Sequence, residues 1–299
     1  MTRVAQHPIK AFAAALAAVA VLSTMDAVMK HLVIAIGIYS VSVWRSLLNL
    51  IMAAIIYLPR RAAWPSRRVM KIHVARGIIV TIMAVLFFWG IGRVPLAQAI
   101  ALTFIAPLLA LLLAALTLGE HISSKSIIGS GAAFLGVVVI VFGQSRAELG
   151  PQVLLGSVAI IGSALCYAVN IVLMRHQALA ADPMEITFFQ SVTVAILWFA
   201  TVPIVGIPQS PGSDWLWLII AALLSTAGGL LFAWGYARAE AGYLSVTEYS
   251  GFLWASALGW LVFRESVSLY TVAGAAMIVA GCLIAARRVR NEPPEMDLV

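Results

Sequence analysis

The sequence predicts an all-α, polytopic membrane protein of ten transmembrane helices in two inverted five-helix repeats. Three observations support this prediction. The composition is the first, because 63% of the 299 residues are hydrophobic and only 10% are charged, whereas a soluble domain is about half apolar and a quarter charged. A series of ten apolar segments is the second, and an internal repeat is the third.

The charge and the cysteines fit a membrane protein. The net charge of +7 comes from basic residues in short runs between apolar segments, a pattern typical of membrane topology and not of nucleic-acid binding. Cys166 and Cys282 both lie inside apolar segments. We therefore expect small buried side chains and no disulfide framework.

Ten segments are each close to the roughly 20 residues that a helix needs to cross the hydrocarbon core. Turn signals separate them, such as Gly150-Pro151 and Asp182-Pro183. The connections are short, so consecutive helices are antiparallel neighbours. We expect spans near residues 9–30, 36–58, 72–92, 95–118, 125–143, 153–174, 184–205, 215–237, 241–263 and 268–287.

The basic residues predict the orientation. With Arg45 left out because it lies within a span, fourteen Lys and Arg residues fall on the side of the termini and four on the other side. Cytoplasmic loops carry the excess of positive charge. We therefore expect a multi-pass inner-membrane protein with both termini in the cytoplasm.

The two halves of the chain repeat each other at an offset of 145 residues without a gap, which divides the chain into repeats of residues 1–146 and 147–299. The matches include Met29-Lys30-His31 with Met174-Arg175-His176, Arg45-Ser46 with Gln190-Ser191, Trp89 with Trp234, Arg93 with Arg238, Glu120 with Glu265, and Gly129 and Gly136 with Gly274 and Gly281. Five helices per repeat make the second repeat enter the membrane upside down. Inverted repeats are the architecture of secondary transporters, whose substrate site lies near the midplane between the halves.

This layout, with the segments Ala106-Pro107 to Gly119-Glu120 and Gly259 to Arg264-Glu265, resembles the drug/metabolite transporter superfamily in its ten-helix, EamA-type branch. Length and composition are also similar to the bacterial YddG-type exporters of aromatic and other neutral amino acids. The resemblance implies that helices three, four, eight and nine line a central cavity and that helices five and ten pack at the periphery. The second repeat departs from the first at Phe252, where the matching residue is Pro107.

Ionisable groups inside spans are costly and mark functional sites. Arg45 keeps its charge and needs water, a carbonyl or a carboxylate, which a solute carboxylate or a structural pair with Asp26 or Glu248 would supply equally well. Asp26 has either a gate role or a local pair with Lys30 at i,i+4. Glu248 attracts a substrate ammonium or carries a proton, or else it makes a helix–helix hydrogen bond in its protonated form.

The remaining candidates are aromatic and hydrogen-bonding side chains in the spans, which would surround a few polar groups in a solute cavity. The predicted substrate-binding residues are Trp44, Arg45, Phe88, Gln98, Thr103, Phe104, Tyr167, Asn170, Glu248, Tyr249 and Trp254. The predicted gating residues are Asp26, Trp89, Arg93, Trp234 and Arg238, for which interfacial anchoring is the alternative.

The function predicted from these features is secondary transport of small organic solutes by alternating access, with export of neutral or aromatic amino acids as the first hypothesis. Export of other metabolites or drugs, a channel and an intramembrane enzyme are the alternatives. The sequence contains no HExxH motif, P-loop or paired Cys and His ligands, so we expect no catalytic residue, metal or cofactor. The expected partners are a small-molecule substrate and the lipid bilayer, with no nucleic acid, for a monomeric chain.

Overall fold

The computed structural model describes residues 8–60, 64–106, 109, 113, 124–146, 150–178, 181–236, 247, 248 and 250–286. All regular secondary structure in these residues is helical, which confirms the predicted fold class. A first helical stretch, Pro8–Tyr57, is broken at Gly37 into α1 (8–36) and α2 (38–57). The following helices are α3 (Arg67–Ile91), α4 (Leu96–Thr103), α5 (Ser124–Arg146), α6 (Gly150–Ala178), α7 (Pro183–Val205), a 3-10 turn (Gly212–Asp214), α8 (Trp215–Tyr236), α9 (Gly251–Phe263) and α10 (Leu269–Ala286).

The break between α1 and α2 is a single residue. Gly37 has φ 78° and ψ 154°, a backbone conformation that side chains with a Cβ rarely adopt. The sequence predicted a connection between residues 30 and 36, whereas the structure continues α1 up to the glycine. Because glycine has no Cβ, this one residue changes the direction of the chain without a loop of several residues.

The outer surface suits a lipid environment. Within the described residues, five helical stretches are long and apolar enough to span a membrane, and the first of them includes both α1 and α2. Large apolar side chains point outward, such as Ile204 and Leu269, each 85% exposed. Exposure of these apolar side chains to water would be strongly unfavourable, whereas contact with lipid tails is not.

The two repeats are inverted in space, because equivalent helices pack antiparallel. Helices α5 and α10 correspond at the 145-residue offset, and Gly136 faces Gly274 while Gly129 faces Gly281. Helices α2 and α7 also correspond. Their rings meet at both ends, Tyr39 with Trp198 and Tyr57 with Phe188. A pseudo-two-fold axis therefore passes between each pair.

The glycines of α5 and α10 permit this contact. A Cβ added at Gly136 would lie 2.5 Å from the carbonyl oxygen of Gly274, which is closer than a carbon atom can approach without displacement. Small residues allow such backbone contact between membrane helices. In α8, Gly228 packs against Leu22 of α1, and the helix continues through Gly228-Gly229 without interruption.

We expect Gly136→Ala to lower the midpoint of thermal unfolding of the purified protein in detergent, because the added methyl group forces α5 and α10 apart. Gly131→Ala is the matched control on the same helix, since nothing lies within 4 Å of a Cβ added there. The control should keep or slightly raise the midpoint, because alanine favours a helix over glycine by about 1 kcal/mol. Equal midpoints for both variants would show that the contact does not stabilise the fold.

The antiparallel helices give the bundle two ends. The Gly37 end contains the α1–α2 break, the α3–α4 turn and the α9–α10 turn, and the sequence predicts it to face away from the cytoplasm. The Pro8 end contains the start of α1, the end of α2 and the start of α3. Among the described residues, polar side chains gather at each end and at one place between them.

Candidate functional site

A polar cavity of about 80 Å³ lies between α2, α3 and α7. Its wall consists of hydroxyl, amide and guanidinium groups together with a few apolar side chains. The lining residues are Ser42, Arg45, Ser46, Asn49, Val80, Ala84, Gln190, Ser191, Val194 and Trp198. We call it the Arg45 cavity.

The Arg45 cavity lies on the pseudo-two-fold axis, because residues at equivalent positions of the two repeats face each other across it. Three such pairs line the wall: Arg45 with Gln190, Ser46 with Ser191, and Asn49 with Val194. An inverted-repeat transporter binds its solute at this kind of place, between the halves and away from both ends. The sequence offset alone did not reveal that these positions meet.

Within the part of the chain that the structure describes, Arg45 has no carboxylate in contact with it. Its guanidinium lies over the Phe88 ring, 4.8 Å from the centroid, and Asp26 of α1 attracts it electrostatically. Among the described residues, no ion pair within 4.0 Å involves Arg45. A cation–π contact compensates only part of the cost of a buried charge. The site therefore favours an anionic group.

Asn49 lies one helical turn beyond Arg45 on α2, and residues at this spacing share a face. Its Oδ1 atom is shielded from solvent and accepts no hydrogen bond from any described residue. An unpaired buried acceptor is unfavourable and rare. The cavity is therefore lined by a cationic side chain and, one helical turn away, by an asparagine whose buried amide oxygen has no partner among the described residues.

Several predicted substrate-binding residues take part in packing outside this cavity. Phe88 and Phe104 are buried in the main apolar core. The amide of Gln98 donates to Ser157 Oγ at 3.3 Å, and the Thr103 hydroxyl donates to the Ile100 carbonyl at 2.7 Å. None of these side chains lines the cavity: Gln98 connects α4 to α6, and the Thr103 bond lies within α4.

Trp44 and Trp254 also lie outside the Arg45 cavity. The indole N–H of Trp44 donates to the Gln209 carbonyl at 2.9 Å, and its ring packs on Trp215 at a centroid distance of 5.1 Å. Trp44 thus holds the α7–α8 connection at the Gly37 end. Trp254 is 42% exposed on α9. Tyr249 lies outside the described residues.

A second polar group surrounds Arg76, which the sequence predicts to lie among the basic residues of the cytoplasmic side. Three predicted substrate-binding residues belong to this group: Tyr167, Asn170 and Glu248. Arg76 of α3 is buried and donates from Nε to Asn170 Oδ1 at 2.8 Å. Tyr167 lies within electrostatic range of both Arg76 and Glu248. The structure therefore places Asn170 and Tyr167 near Arg76, and Glu248 near Tyr167, instead of around Arg45.

The Arg76 group continues to the Pro8 end through side chains that sequence reasoning had not selected. Gln177, His73 and Glu185 follow Arg76 in a chain of hydrogen bonds. His73 is fully buried and stacks on Phe189. The signal for this network was available as two ionisable residues, His73 and Arg76, three positions apart inside an apolar segment.

At the Gly37 end, an ion pair joins the two repeats. Lys30 of α1 pairs with Glu265, which follows α9, and also donates to the Val94 carbonyl at 2.5 Å. The other carboxylate oxygen of Glu265 accepts from the Leu96 N–H at 2.8 Å, at the start of α4. Lys30 thus has its partner across the repeats and not in Asp26.

Local backbone structure places Glu265 at this position. Arg264 adopts a left-handed conformation with φ 58° at the end of α9, and the Glu265 N–H donates back to the Gly259 carbonyl at 3.0 Å. A Cβ added at Gly259 would lie 2.9 Å from Glu265 Oε2. The glycine therefore leaves space for the carboxylate beside α9.

The predicted gating residues lie apart from this ion pair. Arg93 lies over the Trp89 ring, 3.6 Å from its centroid, and donates to the Trp89 carbonyl at 2.9 Å. Its Nε reaches Gln152 at the start of α6 at 3.4 Å. Trp234 is 39% exposed, and Arg238 lies outside the described residues. Their role in gating stays a prediction.

The described residues do not bring together three His, Cys, Asp or Glu side chains that could hold a metal ion. The chemistry of the Arg45 cavity and the Arg76 group is that of charge and hydrogen bonding. The Arg45 cavity suits the reversible binding of a small polar solute.

The sequence profile of the EamA-like transporter family matches the chain twice, over residues 9–142 and 154–287. This chain belongs to the EamA-like transporter family. The predicted membership in the drug/metabolite transporter superfamily is confirmed, and so is the prediction that the chain is a transporter of small solutes and not an enzyme. The family fold is a multi-pass membrane fold with two repeats.

Curated relatives are transporters of different solutes. The chain is 24% identical over 271 residues to the pseudopaline exporter CntI of Pseudomonas aeruginosa, covering 89% of this chain and 92% of that protein. It is 29% identical over 213 residues to a probable terminal-alkyne amino-acid exporter of Streptantibioticus cattleyicolor, covering 68% of each. It is 25% identical over 220 residues to a riboflavin transporter of Rhizobium johnstonii, covering 74% of this chain and 70% of that one.

A solved crystal structure has the same fold. It superposes with a TM-score of 0.63 at 19% sequence identity, covering 94% of this chain and 99% of that chain. This agreement extends over both repeats and supports the helix arrangement on which the Arg45 cavity depends.

Proposed function

We propose that this EamA-family transporter exports neutral amino acids or closely related zwitterions across the bacterial inner membrane by alternating access. The observation that supports this most directly is the pairing of Arg45 with Asn49 in one cavity. The guanidinium would bind a carboxylate through charge-assisted hydrogen bonds. Asn49 Oδ1, which is buried and unpaired among the described residues in this conformation, would accept a hydrogen bond from the ammonium group of the same solute once a movement of the helices exposes it.

The cavity volume supports a small solute in this conformation. Drug-sized ligands occupy pockets of about 300–1,000 Å³, whereas the Arg45 cavity measures about 80 Å³. An aromatic amino acid would require α7 to move away from α2. Alternating access supplies such a movement, because the two repeats rock against each other around the site.

The relatives support this class of solute without deciding the substrate. One is named as a probable exporter of an amino acid, whereas others are named for pseudopaline and riboflavin. Export of another metabolite or of drugs is therefore the second candidate. The orientation with both termini in the cytoplasm follows from the positive-inside bias and belongs to the same proposal.

Counterflow in proteoliposomes tests the function. We expect vesicles loaded with unlabelled alanine to take up labelled alanine transiently above its equilibrium level, because a carrier exchanges its solute. A channel would show no overshoot. Decarboxylated and N-acetylated alanine serve as controls, since each removes one of the two groups that the cavity would bind. Counterflow of riboflavin but of no amino acid would overturn the substrate class and keep the carrier.

A further inference from the structure

We propose that His73 is a proton-binding site whose protonation changes the connections between the two repeats and so couples solute transport to a proton gradient. The proposal rests on the transport function inferred above and concerns a network that the Arg45 cavity does not use. His73 lies on α3 of the first repeat, and its two hydrogen-bonding partners lie on α6 and α7 of the second repeat.

The direction of the hydrogen bonds fixes the proton on one nitrogen of the ring. Arg76 Nη1 donates to Gln177 Oε1 at 2.6 Å, so the amide NH₂ of Gln177 points the other way, to His73 Nδ1. An amide NH₂ is only a donor, and Nδ1 must therefore accept. The ring is then neutral with its proton on Nε2, which donates to Glu185 Oε1 at 3.1 Å.

Protonation of His73 is incompatible with this arrangement. A proton taken from water onto Nδ1 turns the nitrogen into a donor that faces the NH₂ group of Gln177. The amide cannot simply rotate by half a turn, because its NH₂ group would then face the Arg76 guanidinium, which is donor-only. Gln177 therefore cannot keep its hydrogen bonds to both His73 and Arg76.

The same proton strengthens the connection on the other side of the ring. His73 keeps its Nε2–H, and the imidazolium forms an ion pair with the Glu185 carboxylate, which is stronger than the neutral hydrogen bond. Neutral His73 therefore holds α3 both to α6 through Gln177 and to α7 through Glu185. Protonated His73 loses the contact with the Gln177 amide and strengthens the contact with Glu185, so one proton shifts the connection between the repeats from α6 toward α7.

The residues around His73 determine the path by which a proton reaches the ring and which charged groups influence it. The His73 side chain is fully buried, whereas Glu185 is 16% exposed at the Pro8 end, so water reaches the pair from that end. The other titratable or charged groups around the network are Arg76 on α3, Tyr57 on α2, Tyr167 on α6 and Glu248, which precedes α9. Phe189 stacks on the ring with an interplanar angle of 17° and blocks access from α7.

Transport with and without a proton gradient tests the proposal in the full chain. We expect labelled alanine to move against its concentration gradient when a pH difference of about one unit is imposed across the vesicles. His73→Gln should lose this gradient-driven movement and keep alanine counterflow at equal pH, because glutamine forms hydrogen bonds but does not titrate here. His31→Gln is the matched control, since His31 is 45% exposed near Asp214 at the Gly37 end; it should keep both.

A second variant keeps the test decisive if His73→Gln does not fold. Glu185→Gln still accepts the Nε2–H bond but removes the charge that stabilises the imidazolium. We expect gradient-driven transport to require a lower pH in this variant. Wild-type counterflow that is insensitive to a pH gradient would overturn the proton site and leave the carrier intact, whereas absence of alanine counterflow in the wild type would contradict the proposed function instead.

Discussion

Arg45→Gln is expected to reduce alanine counterflow by about ten- to a hundredfold, because a hydrogen bond to a charged group contributes about 1.5–3 kcal/mol. The guanidinium has no carboxylate partner within 4.0 Å among the described residues, so the variant breaks no such structural ion pair. Counterflow at increasing alanine concentration measures the loss. Arg45→Lys should recover only part of it, since an ammonium group lacks the planar fork that matches a carboxylate.

The repeat offers a sharper test than the single variant. Because Gln190 faces Arg45 across the cavity, the double variant Arg45→Gln with Gln190→Arg returns the cation to the same cavity from the opposite wall. It should recover a measurable part of the flux. Arg60→Gln removes an equal charge at an exposed position just after α2, outside the cavity, and should keep wild-type flux. Unchanged flux in Arg45→Gln would remove Arg45 from the solute site.

Glu265→Gln is expected to lower the free energy of unfolding by about 3–5 kcal/mol, because it leaves the buried Lys30 cation without its counter-charge. Lys30 is 4% exposed and lies 5.2 Å from the Phe263 ring centroid, so water cannot replace the carboxylate. The thermal unfolding midpoint in detergent measures this loss. A variant with an unchanged midpoint would contradict a structural role for the pair.

Removal of both charges separates stability from gating. Lys30→Met with Glu265→Gln leaves no buried unpaired charge, and such apolar replacements of ion pairs are often nearly neutral for stability. If the pair closes the Gly37 end, this double variant should keep its midpoint but change the rate at which impermeant reagents reach the cavity from that end. If the cavity is as accessible to the reagents as in the wild type and the midpoint is unchanged, the ion pair has no role in gating and only contributes to helix packing.

The fold could be predicted from the sequence because its determinants are local or periodic along the chain. Apolar length identifies a span wherever it occurs, and the 145-residue offset compares residues of known position. The glycines of α5 and α10 were predictable for the same reason, since their spacing and their repeat equivalence both indicate one helix face. Gly37 was missed as the break because a single glycine does not interrupt hydrophobicity.

The site was harder to predict because its residues meet through helix rotation and packing. Arg45 and Gln190 were recognised as equivalent, but whether equivalent residues face each other or point apart depends on how α2 and α7 turn about their axes. Asn49 carries no charge and did not stand out within an apolar helix. His73 and Arg76 were assigned to the end of a span, because hydropathy along a chain does not report depth in a bundle. The Lys30–Glu265 pair joins residues 235 positions apart.

The break at Gly37 constrains how the first two helices can move. Lys30 lies seven residues before it and Arg45 eight residues after it, and no slack loop separates the two segments. We therefore expect that a tilt of α1 that separates Lys30 from Glu265 also moves the start of α2. The residues proposed to bind the solute would move with it. Because the connection is a single residue, loss of the ion pair at the Gly37 end and a change in the shape of the binding cavity are expected to occur in one movement.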